Sequence, residues 1–397
     1  MLLTRTRIIV ACATTVAVGI AVAPASSAKG HDAHPTKGWS RTLTTDVLLP
    51  FGMAVDNKGK VYVADGAKNA VFAVNSDQSL TFLAAGLENT APPGAQPNVD
   101  VAGIDVADDG TWAYTTSRTD ASGFQHTDAQ LIIMKGTKRL AVADILAYET
   151  AKNPDQKNTY GLAPGTDCAD GRAWLGQVTG GSATYQGLVD SHPYAVASLG
   201  HGSWAVADAG ANAIFKVTAS GQVSTISVLP PQQTTITQAL LDSASVDQNG
   251  SPVPVPDSAK CLIGKSYGFE AVPTDVEVGP FGQFWVSTLP GGPEDPSLGA
   301  RGSVYLVNPQ TGWSWRLATG FAGATNLAVA KDGTTYVSEL FGGKITKVSL
   351  WGGKSTFKTV DSPLALETQG PYVYAALSGL DFATGPTGKG AIVQYKR

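Results

Sequence analysis

The segment PYAVASLGHGSWAVAD, residues 193–208, opens on an apolar run, turns at a glycine and returns as an aromatic, apolar strand. Five other segments repeat that plan: PFGMAVDNKGKVYVAD at 50–65, VAGIDVADDGTWAYTT at 101–116, PTDVEVGPFGQFWVST at 273–288, ATNLAVAKDGTTYVSE at 324–339 and SPLALETQGPYVYAAL at 362–377. The turn glycine stands nine residues after the start in all but the last, at Gly59, Gly110, Gly202, Gly282 and Gly333. Such self-similarity marks an architecture in which each module buries its face against its neighbours alone. In the first repeat Gly52-Met53-Ala54-Val55 is short and small, as suits a crowded strand beside a central channel. Asn57-Lys58-Gly59 is the hairpin turn, and Lys60–Asp65, Ala70–Val74 and Leu80–Ala84 supply three further strands. The same order recurs from Ser203 to Val228 and from Thr334 to Val360.

The last repeat offers a second strand at Tyr372–Leu377 and a third at Ala391–Tyr395, and then the sequence stops at Arg397. Ser40–Leu49, at the other end, has no module of its own. Pairing the two predicts an all-β, six-bladed β-propeller closed by the N-terminal strand on the last blade, which removes the exposed sheet edges. Residues 40–397 are expected to form this one domain, with insertions at 146–190 and 231–270 and a shorter one at 290–301. Ala143–Ala151 and Gln238–Ala244 read as short helices within or beside them. Long connections of this kind carry function more often than scaffold strands do.

Ahead of the repeats, Arg5 and Arg7 precede an apolar run from Ile8 to Val22, followed by Ala23-Pro24-Ala25 and Ser26-Ser27-Ala28. That layout reads as a secretory signal peptide over residues 1–28, followed by a flexible leader over 29–39. The chain is therefore expected to be secreted or held in the cell envelope, with no membrane span once the signal is cleaved. Removing it leaves 26 basic against 32 acidic residues with no basic run, which argues against nucleic acid as a partner. It also leaves two cysteines, Cys168 and Cys261, one in each long insertion, and an exported chain is expected to join them in a disulfide. Asn249-Gly250-Ser251 is a glycosylation sequon.

Reactive groups are sparse. Asp65 and Asp208 end second strands and are followed four residues later by Asn69 and Asn212, a spacing that stabilises tight loops. Glu339 takes the same place without such a partner. Third positions of the repeats read Gly52, Gly103, Ala195, Asp275, Asn326 and Ala365, so only Asp275 and Asn326 could offer oxygen to Ca²⁺, which takes six to eight. His192 immediately precedes Pro193 with Asp190 nearby, and a histidine–carboxylate pair can act as a general base. Glu339 is the other candidate catalytic group. The aromatics Trp112, Trp204, Trp285 and Tyr336 recur at one place in successive repeats and read as packing between modules.

His192-Pro-Tyr-Ala-Val-Ala, Trp204-Ala-Val-Ala-Asp-Ala-Gly-Ala-Asn212, Glu270-Ala-Val-Pro-Thr-Asp275, Gly279-Pro-Phe-Gly282 and Gly320-Phe321 carry a resemblance to a known group. Over roughly residues 40–397 the chain is similar to the secreted ScyD/ScyE-type propeller proteins of bacteria, and more distantly to the NHL-repeat group. The resemblance implies an exported six-bladed propeller and transfers no catalytic residue. The chain departs from the commonest pattern at Thr288 and Leu289, where a glutamate is usual. The function expected from all this is a scaffold that binds a small molecule or an extracellular protein through the inserted loops. The alternatives are a calcium-dependent, lactonase- or esterase-like hydrolase, with Asp275 and Asn326 on the metal and His192 as base, or a streptogramin-lyase-like enzyme using His192 with Glu339.

Overall fold

Each of the six segments becomes an antiparallel pair of strands in the computed structural model, which describes residues 38–92, 95, 97–123, 125–246, 251–293, 298–381 and 385–397. The signal and leader residues up to 37 and most of the sequon lie outside the described residues. The hairpin glycines adopt positive φ, +84° at Gly59, a region that side-chain-bearing residues rarely occupy.

Two further strands complete each pair into a four-stranded sheet. In chain order the inner strands are Pro50–Val55, Val99–Val106, Pro193–Gly200, Pro273–Val278, Ala324–Val329 and Pro363–Gln369. They contact one another in that sequence, and Pro363–Gln369 contacts Pro50–Val55 in turn. Backbones come close here: a Cβ on Gly52 would lie 2.3 Å from the Ala102 carbonyl oxygen, and one on Gly103 would lie 2.8 Å from Ala195 Cα. The small inner residues of the first two repeats are thus a requirement of this contact.

In the sixth sheet the third strand is Ala391–Lys396, and its outer neighbour is Ser40–Thr44, with Ser40 opposite Tyr395 and Thr42 opposite Val393. Packing between sheets uses the aromatic column foreseen from the repeats: Trp112, Trp204, Trp285 and Tyr336 are all buried.

A seventh four-stranded sheet comes from the two long insertions, in the order Thr184–Gln186, Thr159–Leu162, Ser266–Phe269, Gln232–Thr235. Each insertion contributes two strands, and they meet across the third repeat. Helix α1 (Ile145–Lys152) starts two residues later than the sequence suggests, because the Asp144 side chain accepts the Ala147 N–H and so caps it. Helix α2 (Ala169–Val178) lies in the first insertion and α3 (Gln238–Ala244) in the second. Leu162, Leu175, Ile236, Leu240, Leu262 and Phe269 pack beneath this layer. Cys168 belongs to the same cluster and is joined by a disulfide to Cys261.

Antiparallel order places the start of every inner strand, the end of every second strand and the end of every fourth strand at one rim. Both long insertions follow fourth strands, and the 290–301 connection follows a second strand. All three therefore rise from the same face.

Candidate active site

The residue just before each inner strand, or at its start, sits on that loop-bearing rim. In the second and third sheets those residues are Asp100 and His192, on neighbouring strands. His192 Nε2 lies 2.9 Å from Asp100 Oδ2, and the Ser117 hydroxyl donates to Asp100 Oδ1 at 2.5 Å. A second pair stands against the first: His126 Nδ1 is 2.9 Å from Asp190 Oδ1. The two imidazoles stack with centroids 4.6 Å apart, and Tyr194 meets His192 edge-on. Each histidine side chain keeps about a tenth of its surface exposed, 10 % in both. The backbone of His192 is fixed as well, since its N–H donates to Asp208 Oδ1.

Burial alone would lower the pKa of His192, but the adjacent Asp100 carboxylate overcomes it, helped by Asp208 and Asp190, and the net direction is upward. Burial likewise works to raise Asp100, and His192, Ser117 and His126 reverse it downward. Both directions favour the charged forms of the pair relative to isolated groups in the same buried setting. Chemically the pair is a proton donor and acceptor, and Tyr194, which meets His192 edge-on, belongs to a buried apolar cluster with Phe51, Ala102, Leu340 and Leu364.

Of the residues singled out from sequence, His192 is in this centre and Asp190 serves its neighbour His126. Glu339 is elsewhere, ending the second strand of the fifth sheet. Its carboxylate accepts the Ala322 N–H at 2.8 Å and a short hydrogen bond from the Thr346 hydroxyl, with Lys344 Nζ at 3.6 Å. It makes no hydrogen bond to His192. Asp65 and Asp208 do the equivalent job in their own sheets, taking the backbone N–H groups of Leu48 and Leu49 and of His192 and Ala211. Asn69 and Asn212 extend the tie to the next sheet, through the Leu87 carbonyl and the Val272 N–H.

Asp275 and Asn326 act as clips between inner strands. Asp275 accepts the Leu327 N–H at 2.8 Å and its own neighbour Val276 at 2.9 Å, while Asn326 Oδ1 accepts the Leu366 N–H at 2.7 Å. Oxygens committed to N–H donors do not fit a calcium cage of six to eight ligands. Among the described residues, no set of three or more His, Cys, Asp or Glu side chains is placed to hold a metal ion.

Sequence reasoning passed over Asp100 and His126. Asp100 was accessible, as the residue before the second repeat just as His192 precedes the third. His126 was not, because it begins a ten-residue strand, His126–Lys135, longer than its counterparts. A further signal lay in the fifth repeat positions, which read Ala54, Asp105, Ala197, Glu277, Ala328 and Glu367 around the inner strands. Carboxylates and alanines alternate from sheet to sheet.

Burial raises the pKa of all these channel acids. For Glu277 the charges of Glu367, Asp275 and Asp105 add to it, and for Glu367 those of Asp105 and Asp275. For Asp105, backbone N–H bonds from Ser198 and Val106 oppose the rise. Asp275 is pushed up to about 7 by burial, against its backbone hydrogen bonds and with help from Asp105.

A carboxyl whose folded pKa exceeds its unfolded value stabilises the fold while protonated. That contribution fades as pH rises from the unfolded value, about 4, toward the folded one. The raised pKa of His192 has the same sign, since its contribution is lost as pH climbs through its folded value. Thermal melts should therefore show lower stability at pH 8 than at pH 5, and Glu277→Gln should flatten that slope. A slope unchanged in the variant would mean that Glu277 titrates normally.

No family model matches the chain, and no curated protein matches it. Solved structures do. A PQQ-bound aldose sugar dehydrogenase from Streptomyces coelicolor is 13 % identical, with 91 % of this chain and 99 % of that one covered and a TM-score of 0.50. An oxidoreductase assigned as a glucose dehydrogenase, from Thermus thermophilus, is 12 % identical over 90 % of this chain and 99 % of its own, also at 0.50. Virginiamycin B lyase from Staphylococcus aureus covers 91 % and 99 % at 13 % identity, with a lower TM-score of 0.43. At such identities the first two show a shared all-β, propeller-like fold and nothing of the chemistry.

Proposed function

We propose that this chain is a six-bladed β-propeller, closed by Ser40–Thr44 on Ala391–Lys396, that works as an acid–base enzyme at its loop-bearing rim. The observation that carries the reading is the stacked His126–His192 pair, each ring bonded to its own carboxylate in a nearly dry setting. A plain scaffold has no need of two such couples side by side. Asp100 holds Nε2 of His192, so Nδ1 is the nitrogen that exchanges a proton with substrate. Asp190 holds Nδ1 of His126, which leaves Nε2. The apolar cluster of Phe51 and Tyr194 favours a largely carbon-built substrate approaching between the inserted loops.

Such a centre suits cleavage of an ester or lactone, by hydrolysis or by elimination. In hydrolysis an imidazole takes a proton from water as it attacks the carbonyl, and the alcohol leaves protonated. In elimination it takes a proton from the carbon next to the C–O bond, a double bond forms, and the carboxylate departs. Calcium at Asp275 and Asn326 would meet oxygens that already accept backbone N–H groups, so no step is drawn through a metal there. Export from the cytoplasm, on the N-terminal signal layout, and kinship with the ScyD/ScyE proteins belong to the same proposal. The Cys168–Cys261 disulfide supports an oxidising compartment.

The test is a panel of lactones, esters and cyclic depsipeptides followed by mass spectrometry. Hydrolysis adds one water to a ring-opened product and elimination adds none. Replacing His192 or His126 by Ala should cost about 100-fold in turnover, the lower end for general acid–base catalysis. A folded His192→Ala protein with full activity would end the proposal, as would a wild-type chain inert on the whole panel.

A further inference from the structure

The loop that leaves the second sheet contains oxygen atoms with nothing to bond. Glu149, on α1, is fully buried at 0 % exposure, and neither carboxylate oxygen has a hydrogen-bond partner. Asp155, in the turn that follows α1, is 1 % exposed, and its Oδ1 is likewise unpartnered. Between them Asn153 turns the chain with φ +36° and leaves its own Oδ1 buried and unbonded. All four orphaned atoms are acceptors, and they fall within seven residues of sequence, Glu149 to Asp155.

The surroundings are built to hold them. Asn153 Nδ2 donates to the Gly187 carbonyl at 3.1 Å, so its amide oxygen faces the other way. Asp155 Oδ2 is fixed by the Tyr160 hydroxyl and Asn212 Nδ2, both at 3.0 Å, which leaves Oδ1 free. Gly187 makes room for it, since a Cβ there would lie 1.9 Å from Oδ1. Nearby charge makes the bare arrangement unfavourable: burial, with Asp208, Asp155 and Asp190, pushes the Glu149 carboxyl up to about 9. An acceptor buried without a donor forfeits about 1–3 kcal/mol, and a carboxylate more.

We propose that Glu149, Asn153 and Asp155 form a binding site for a hard divalent cation of the Ca²⁺ class. Every available ligand is oxygen, two of the three groups are carboxylates, and an amide oxygen accompanies them, the mixture that Ca²⁺ accepts in irregular geometry with water filling the remaining places. Zinc and other soft ions are disfavoured, since no sulfur or imidazole nitrogen is among the orphans. The cation would tie the C-terminal end of α1 to the turn that follows it, beside the Gly187 carbonyl that Asn153 already holds. The site stands whether or not the histidine pair is catalytic.

The experiment uses the full exported chain, stripped with a chelator and melted with and without Ca²⁺. Saturation near 100 times the dissociation constant should raise the midpoint by roughly 3–5 °C. Glu149→Gln should abolish that rise or weaken Ca²⁺ affinity by at least about 10-fold, and because it removes a buried charge it should fold. Asp155→Asn is the second variant and should behave alike. An unresponsive wild-type chain would mean water, not a cation, satisfies these oxygens, and would overturn the proposal. So would a response retained in Glu149→Gln, or one lost in folded Asp275→Asn alone, which would place the ion in the channel.

Discussion

A chain shortened to begin at Asp46 is expected to melt roughly 5–10 °C lower than the parent chain and to self-associate. Residues 40–44 are the outermost strand of the sixth sheet, yet they come from the opposite end of the sequence to the other three. Removing them strips Ala391–Lys396 of a four-pair ladder, together with the Trp39–Tyr372 ring contact and the bond from the Lys396 N–H to the Trp39 carbonyl. Leu43 also packs against the cluster holding Val47, Met53 and Ile392. Net hydrogen bonds near 1 kcal/mol and cross-strand pairs of a few tenths each give a loss on the order of 5 kcal/mol. The exposed edge is then a template for a second copy.

The inner strands would still touch around the ring, so the shortened chain should keep its β signal while losing its cooperativity. Supplying a peptide of residues 38–45 should restore the midpoint. A shortened monomer melting within about 2 °C of the parent would show that the two ends do not close the ring.

The repeat was legible because its local chemistry and its tertiary role coincide. A glycine at +84° is needed in the hairpin wherever the hairpin goes, and Gly52 or Gly103 must be small whichever neighbour approaches. The same holds for α3, whose limits Gln238–Ala244 follow from a Thr237 cap and a Pro-rich sequel. The closing strand could be inferred from counting, since one module lacked a strand and one strand lacked a module.

The seventh sheet could not. Its strands Thr159–Leu162 and Ser266–Phe269 are separated by the whole third repeat, and nothing local in either announces the other. The histidine centre was half visible for a related reason. His192 and Asp190 are close in sequence, but the bonds run from His192 to Asp100, 92 residues away, and from Asp190 to His126, 64 away. The rim brings together residues that flank different repeats, so a partner chosen by sequence proximity is the wrong one. Glu149 was missed for another reason: an ordinary glutamate in an eight-residue helix carries no sign that its side chain will be fully buried.

Breaking the Cys168–Cys261 disulfide should be the most damaging change available within the inserted layer. The bond spans 93 residues, and closing a loop of about that length removes on the order of 4–5 kcal/mol of chain entropy from the unfolded state. It ties α2 to the turn at Asp257–Leu262, the two segments least supported by strand pairing. Space there is tight, since a Cβ on Gly171 would sit 2.3 Å from Cys168 Sγ and 2.8 Å from Leu262 Cγ. Because the cross-link joins α2 to the turn at Asp257–Leu262, its loss should act there first.

Under reducing conditions, or in a Cys168→Ala, Cys261→Ala double variant, melting should split into two steps. The earlier step should open residues 163–183 and 251–262 to limited proteolysis while the six sheets persist. The chain entropy then appears as a gap between the two midpoints, absent from the oxidised protein, which should melt in one step. If reduction leaves a single transition at the original midpoint and no new cleavage, the disulfide only decorates a layer that the Thr159–Leu162 and Ser266–Phe269 pairing already holds. The roof over the histidine centre would then owe its position to that strand pairing alone.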